Sequence, residues 1–379
     1  MQMLQLFYQK TTKQQRIFFV VFVCLALGSI IWVHHNYSFY KSTIAEIIEV
    51  SNQTATKVED DFQNKDVLYK QELIAEVKNG PEKGSHLYLI NEYSKSQAFD
   101  QKYEAGSEVF VSIKEGQGEH QPLTGTITGV KRDKYLVTVL WIFIFVLLAV
   151  GKRQGLLSVV SLLFNTTFLW FVLDIYIKYA DQSLLWICGG SIVIFTVVSL
   201  LLVNGRNEKT FAAIIATLIS TFLSLFITYL AMVITGENGL RYEELQFISR
   251  PYKTVFLAGL FIGSLGAVMD VAITMSSSIF GLYEKDPAIS IKALIKSGIE
   301  IGKDIMGTMT NILFFAYVSG SIPMLLLYFK NATPFGYTLS INLSLELVRA
   351  LAGGIGIVIA IPVGLYTTIF FINRKKAKE

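Results

Sequence analysis

The sequence predicts an all-α polytopic membrane bundle of about eight transmembrane helices. Both termini are expected in the cytoplasm, with one small, mainly-β extracytoplasmic domain between spans 1 and 2. Three observations predict this. Hydrophobic residues make up 52% of the chain and charged residues only 16%, where a soluble domain carries about 25% charge. Apolar runs of about 20 residues recur, the length an α-helix needs to cross a bilayer. Basic residues gather in alternate loops, as the positive-inside rule requires of an even span count.

The first span, 17–34, follows Lys10, Lys13 and Arg16. It is longer than the apolar core of a signal peptide and lacks a small-residue cleavage site, so it reads as an uncleaved anchor. Residues 35–134 follow as the one large external region. Its first part, 40–66, is expected to be a polar amphipathic helix, because Ile44, Ile47, Ile48 and Val58 recur between acids and amides. From Gln71 the period changes. The runs "ELIAEV", "HLYLI", "EVFVSI" and "TGTITGV", separated by Gly and Pro, predict a small antiparallel barrel or sandwich of four to five strands.

Seven further spans follow at 135–150, 156–177, 184–203, 210–235, 254–280, 305–328 and 344–372. Between spans six and seven, "EKDPAISIKALIKSGIEIG" reads as a cytoplasmic amphipathic helix started by Pro287 after Asp286. The organisation expected is thus 1–34 as cytoplasmic N-terminus and first span, 35–134 as external domain, and 135–379 as a seven-helix membrane domain with a cytoplasmic tail. Orientation rests on four basic groups: Lys152 and Arg153; Arg206 and Lys209; Lys285, Lys292, Lys296 and Lys303; and Arg374, Lys375, Lys376 and Lys378. The opposite loops, near Asp181 and at 236–242, are poorer in basic residues. These basic loops are topology signals; the partner they imply is the lipid bilayer, and no nucleic acid is expected.

Familiar catalytic motifs are missing. No HExxH, Walker A or Cys/His cluster occurs. His34, His35, His86 and His120 all lie outside the membrane cores, so a Ser–His dyad within the bilayer is not available. Cys24 and Cys188 fall inside spans and predict no disulfide. No enzyme activity, metal or cofactor is expected.

Polar stripes within the spans carry the functional argument. Asp270 stands mid-span in "GSLGAVMDVAITMSSS". A carboxylate at a helix centre costs about 2.5–3.5 kcal/mol on insertion scales and marks a functional site by default. Along its face lie Gly263, Gly266, Ala267, Thr274 and Ser277, all small or polar. On span seven, Glu300, Asp304, Thr308 and Asn311 share a face, with Gly307 beside them; on span eight, Arg349, Gly353, Gly356, Ala360 and Gly364 form a third stripe. Asn165 and Asp174 are polar candidates in span three. Asp270, Thr274, Ser277, Asp304, Thr308 and Asn311 are the candidate ion, proton or substrate pathway. Gly263, Gly266, Gly307, Gly353, Gly356 and Gly364 are candidate packing positions, where small residues let membrane helices approach. Asp270 is expected inside the bundle, with Thr308 and Asn311 its nearest partners; the competing reading is a structural hydrogen bond or ion pair.

The segments "GAVMDVAITMSSSI" and "SGIEIGKDIMGTMTNILFFAY", followed by "PMLLLYF", resemble the YibE/F family of bacterial membrane proteins. The resemblance extends to the layout of one span, an external domain with glycine-turned strands, then a bundle. It implies a multi-pass protein of the bacterial plasma membrane that acts with a second YibE/F-like membrane protein or as a homo-oligomer. It implies no established reaction. A weaker, partial likeness joins Gly266, Asp270, Thr308 and Thr310 to the proton-relay core of the RND and SecD/SecF group, which has fewer spans before the acidic one and more charge after it. The leading expectation is a transporter or translocation component, proton- or cation-coupled through Asp270. The alternative is a non-catalytic membrane scaffold or receptor.

Overall fold

The computed structural model describes residues 13–61, 63–97, 100–114, 123–178, 183–244 and 251–377. Lys10, His120, Asp181 and Lys378 lie outside the described residues. The chain divides into two compact units, Met1–Leu147 and Leu148–Glu379.

The first unit opens with helix α1, Lys13–His35, whose apolar stretch is Val20–His35. A 3-10 turn, Tyr37–Phe39, leads into five strands: β1 (Thr43–Glu59), β2 (Lys65–Val77), β3 (His86–Ser94), β4 (Glu108–Lys114) and β5 (Leu123–Val130). They close into a barrel in the order β1-β2-β3-β5-β4. All pairings are antiparallel except β3 with β5, which run parallel over three residue pairs. Closure brings backbones close at Gly125, where a Cβ would stand 2.8 Å from the Ser112 carbonyl oxygen and 3.4 Å from Leu87. Ile47, Leu73, Val77, Leu87, Leu89 and Val109 alternate inward to fill the interior.

The amphipathic helix expected over 40–66 is a strand instead. Ile44 and Ile47 are buried while Ile48 is exposed, and the register with β2 shifts between Ile47 and Glu49 and again between Asn52 and Thr54. Each bulge inserts a residue and breaks the two-residue period, so the apolar positions fall at helix-like intervals in a chain that is extended.

Two polar clamps fix the barrel's entry and exit. Buried Asn79 accepts the Ile44 N–H at 2.6 Å and donates to the carbonyls of Tyr37, Tyr40 and Ser42 at 3.0–3.2 Å. Lys131 is fully enclosed; its ammonium meets Glu108 at 3.0 Å, Asp133 at 3.1 Å and the Val33 carbonyl at 2.8 Å. Tyr37 donates to Glu108 at 2.6 Å and Tyr40 to Asp133 at 2.7 Å. Burial, reinforced by the Glu108 hydrogen bond, pushes the Tyr37 phenol well above its ordinary pKa, so it stays a donor.

Helix α2, Asp133–Lys178, carries two of the expected spans as two helical stretches that meet at a kink. Each of the two stretches, Asp133 to the kink and the kink to Lys178, is about as long as one bilayer crossing needs. The loop expected between them is reduced to Lys152, the one residue with non-helical angles (φ 47°, ψ −122°).

The remaining helices are α3 (Leu184–Asn204), α4 (Glu208–Thr235), α5 (Tyr252–Lys285), α6 (Ile291–Lys330) and α7 (Phe335–Lys376). Among the described residues six helices, α2 to α7, are long and apolar enough to cross a membrane. The expected amphipathic helix is the first part of α6 and runs without a break into span seven. It starts at Ser290, whose hydroxyl accepts the Ala293 N–H at 3.2 Å, and not at Pro287; Asp286 instead turns the chain, accepting the Ala288 N–H on its side chain and the Ile289 N–H on its carbonyl.

The core of the second unit collects Val268, Val271, Met275 and Ile279 of α5 with Ile357, Ala360 and Leu365 of α7. Small residues set the approach. A Cβ at Gly356 would sit 2.7 Å from Val268 and 3.4 Å from Ser224, one at Gly364 3.3 Å from Met275, and one at Gly353 would strike Leu313. Gly263 meets the Tyr317 hydroxyl in the same way, and Gly302 of α6 meets Ile361. Around Gly266 and Gly307 there is open space. Gly356→Leu should therefore force α5 and α7 apart, costing about 1–3 kcal/mol by overpacking. A thermal melt of the detergent-solubilised protein would show it as a lowered midpoint; an unchanged midpoint would count against this packing.

Candidate functional site

Asp270 sits halfway along α5 and lines a cavity of about 290 Å³. Three elements supply its walls: Ser158, Ser161 and Asn165 from α2, Ser199 and Asn204 from α3, and Gly266, Met269 and Asp270 from α5. A second cavity of about 220 Å³ adjoins it, sharing Asn165, Ser199, Gly266 and Met269 and adding Thr166. Together they make a groove that begins at Asn204, the C-terminal end of α3, and runs along the helices past Asp270.

Local sequence explains the groove. Gly266 stands one turn before Asp270 and has nothing within 4 Å of its missing Cβ. It provides volume, not contact. Ser158, Ser161 and Asn165 recur at three and seven residues, so one stripe of α2 presents them together. Asn165 donates to the Ser199 hydroxyl at 2.8 Å. Its own carbonyl oxygen is buried and has no hydrogen-bond partner among the described residues. An amide oxygen in that state calls for a donor or a cation, since a lost hydrogen bond in the interior costs about 1–3 kcal/mol.

The expected surroundings of Asp270 need correction. Asp270 is exposed in the groove and is not enclosed by the bundle. Nor do Thr308 and Asn311 line either cavity; the polar groups around Asp270 come from α2 and α3. Asp304, Thr308 and Asn311 are exposed on α6, where Thr308 turns its hydroxyl back to the Ile305 carbonyl at 2.9 Å. Thr274 and Ser277 are half-buried. The enclosed hydroxyl on α5 is Ser276, which accepts from Thr368 at 3.1 Å. Arg349 is paired with Glu346 one turn earlier on α7 and lies over the Phe256 ring at 5.2 Å.

Reasoning from the sequence missed Ser158, Ser161, Ser199 and Asn204. The signal available was the spacing of the first two with Asn165, the same stripe logic that singled out the Asp270 face. The donors gathered here are a carboxylate, amide oxygens and hydroxyls, all oxygen. Such a set suits proton transfer or a hard cation.

Two family models match the chain: YibE/F-like protein over residues 139–374, and YibE/F family N-terminal domain over residues 38–130. The second match takes in the whole barrel and the first covers most of the helical part. No curated protein and no solved structure matches. Apolar helices of this length place the chain in a lipid bilayer as a multi-pass membrane protein, and the two matched regions show that it belongs to the YibE/F family.

Proposed function

We propose that this protein is a transporter or translocation component of the bacterial plasma membrane, coupled to a proton or cation at Asp270. The observation that carries the reading is one cavity lined by both Asp270 and Asn165, whose carbonyl oxygen is buried without a hydrogen-bond partner among the described residues. A carboxylate at mid-helix is costly unless its charge is used or compensated, and no ion pair with Asp270 is found among the described residues. In this reading a proton or cation enters from the Asn204 end, is held between Asp270 and Asn165, and moves as α5 shifts against α2 and α3. Thr274 and Ser277 continue the pathway along α5.

The topology that fits has eight spans, α2 supplying two, with both termini cytoplasmic and residues 35–134 outside. Cysteines placed at Ser96 and Ala377 test it: an impermeant thiol reagent should label the first and spare the second in intact cells, and labelling of both would reject it. The coupling reading is tested by complementation with Asp270→Asn, which keeps size and most hydrogen bonds but cannot ionise.

A second reading, a scaffold working with another membrane protein, is favoured by one observation. Asp304, Thr308 and Asn311 are exposed on an apolar helix, where polar groups facing lipid want a partner. A second YibE/F-like chain or another copy of this one would supply it.

A further inference from the structure

The outer face of the barrel carries a row of side chains that crosses all five strands. Register pairs Glu49 of β1 with Ile74 of β2, Ile74 with Tyr88 of β3, Tyr88 with Thr124 of β5, and Thr124 with Lys114 of β4. Beside it, Glu72 pairs with Ile90. These residues line a groove of about 580 Å³, within the range of about 300–1,000 Å³ typical of ligand clefts. Tyr88 and Ile90 are 48% and 60% exposed, although both lie in a strand with buried alternatives on its inner face.

We infer that this groove is a binding site for a glycan chain. An exposed tyrosine ring offers a flat face with a polar rim, which suits stacking on the apolar C–H face of a pyranose. Ile90 extends that face along the strand. Carboxylates at Glu49 and Glu72 accept strong, charge-assisted hydrogen bonds from sugar hydroxyls. Thr124 and Lys114 bring donors at the opposite end of the row, so a polyhydroxylated chain finds acceptors and donors on both sides of the ring. The Glu49 carboxylate repels a phosphate backbone and so opposes a nucleic acid.

The test uses full-length protein in nanodiscs, titrated calorimetrically with chitohexaose and cellohexaose, whose β-1,4 linkages expose alternating apolar ring faces. Wild type should bind at least one of them. Tyr88→Ala should weaken binding about tenfold or more and Tyr88→Phe should retain it, with thermal melts matching wild type because the side chain is exposed. Glu72→Gln should weaken it as well. Absence of binding by either glycan at millimolar concentration would overturn the inference. So would binding that Tyr88→Ala leaves unchanged, or tighter binding of an oligolysine peptide than of either glycan.

Discussion

Lys131→Ala should unfold the junction between the barrel and its flanking helices. The ammonium is fully enclosed and compensates Glu108 and Asp133, themselves largely buried. Removing it leaves the Glu108 carboxylate buried without its cation and takes the same cation from Asp133; breaking a buried pair in this way costs about 3–5 kcal/mol. The Val33 carbonyl at the end of α1 loses its donor at the same time. Against a total stability of about 5–15 kcal/mol for a domain, that is a large fraction. The measurement is a thermal melt, which should show a clearly lowered midpoint or failure to accumulate. Lys131→Ala combined with Glu108→Gln should recover part of the loss, since one stranded charge is gone. A single variant as stable as wild type would show that the cluster is solvated and not closed.

Asp270→Asn should abolish function while leaving folding nearly intact. Asp270 is exposed in its groove and packs against little, so an amide of the same size disturbs no core. Asp270→Glu separates charge from shape. If charge alone matters, Glu should retain some activity; if ligand geometry matters too, the longer side chain should lose most of it. Full complementation by the Asn variant would favour the structural reading. Failure of both Asn and Ala variants to reach the membrane would make Asp270 a packing element.

Much of this fold was legible because bilayer crossing imposes length and composition on a helix. Every apolar run read as a span from 135 onward falls within a helix, and the alternating runs after Gln71 are strands. What escaped has a physical cause in each case. Bulges in β1 broke the period that marks a strand, so 40–66 passed for a helix. Lys152 interrupts α2 at one residue, where the "GKRQG" stretch reads as a loop. Asp286 turns the chain locally before Ser290 caps α6, although Pro287 is an equally good start on sequence grounds.

The site was half legible. Asp270 stood out because an acid inside a span is rare. Which helices face it did not, because short loops allow many arrangements of the same spans, and serines on membrane helices more often pack than bind. Ser199 belongs to the groove only because α3 brings it against Asn165. Thr308 and Asn311 share a stripe with Asp304, but their helix turns that stripe outward.

The central claim is that Asp270 carries an ion, and the direct measurement is ion flux. Purified protein in liposomes, with a pH-sensitive dye inside and an imposed potassium-diffusion potential, reports proton movement; radioactive sodium reports the cation alternative. Wild type should carry one of the two, and Asp270→Asn, reconstituted in equal amount and with an equal melting midpoint, should not. Equal flux through both proteins would contradict the account.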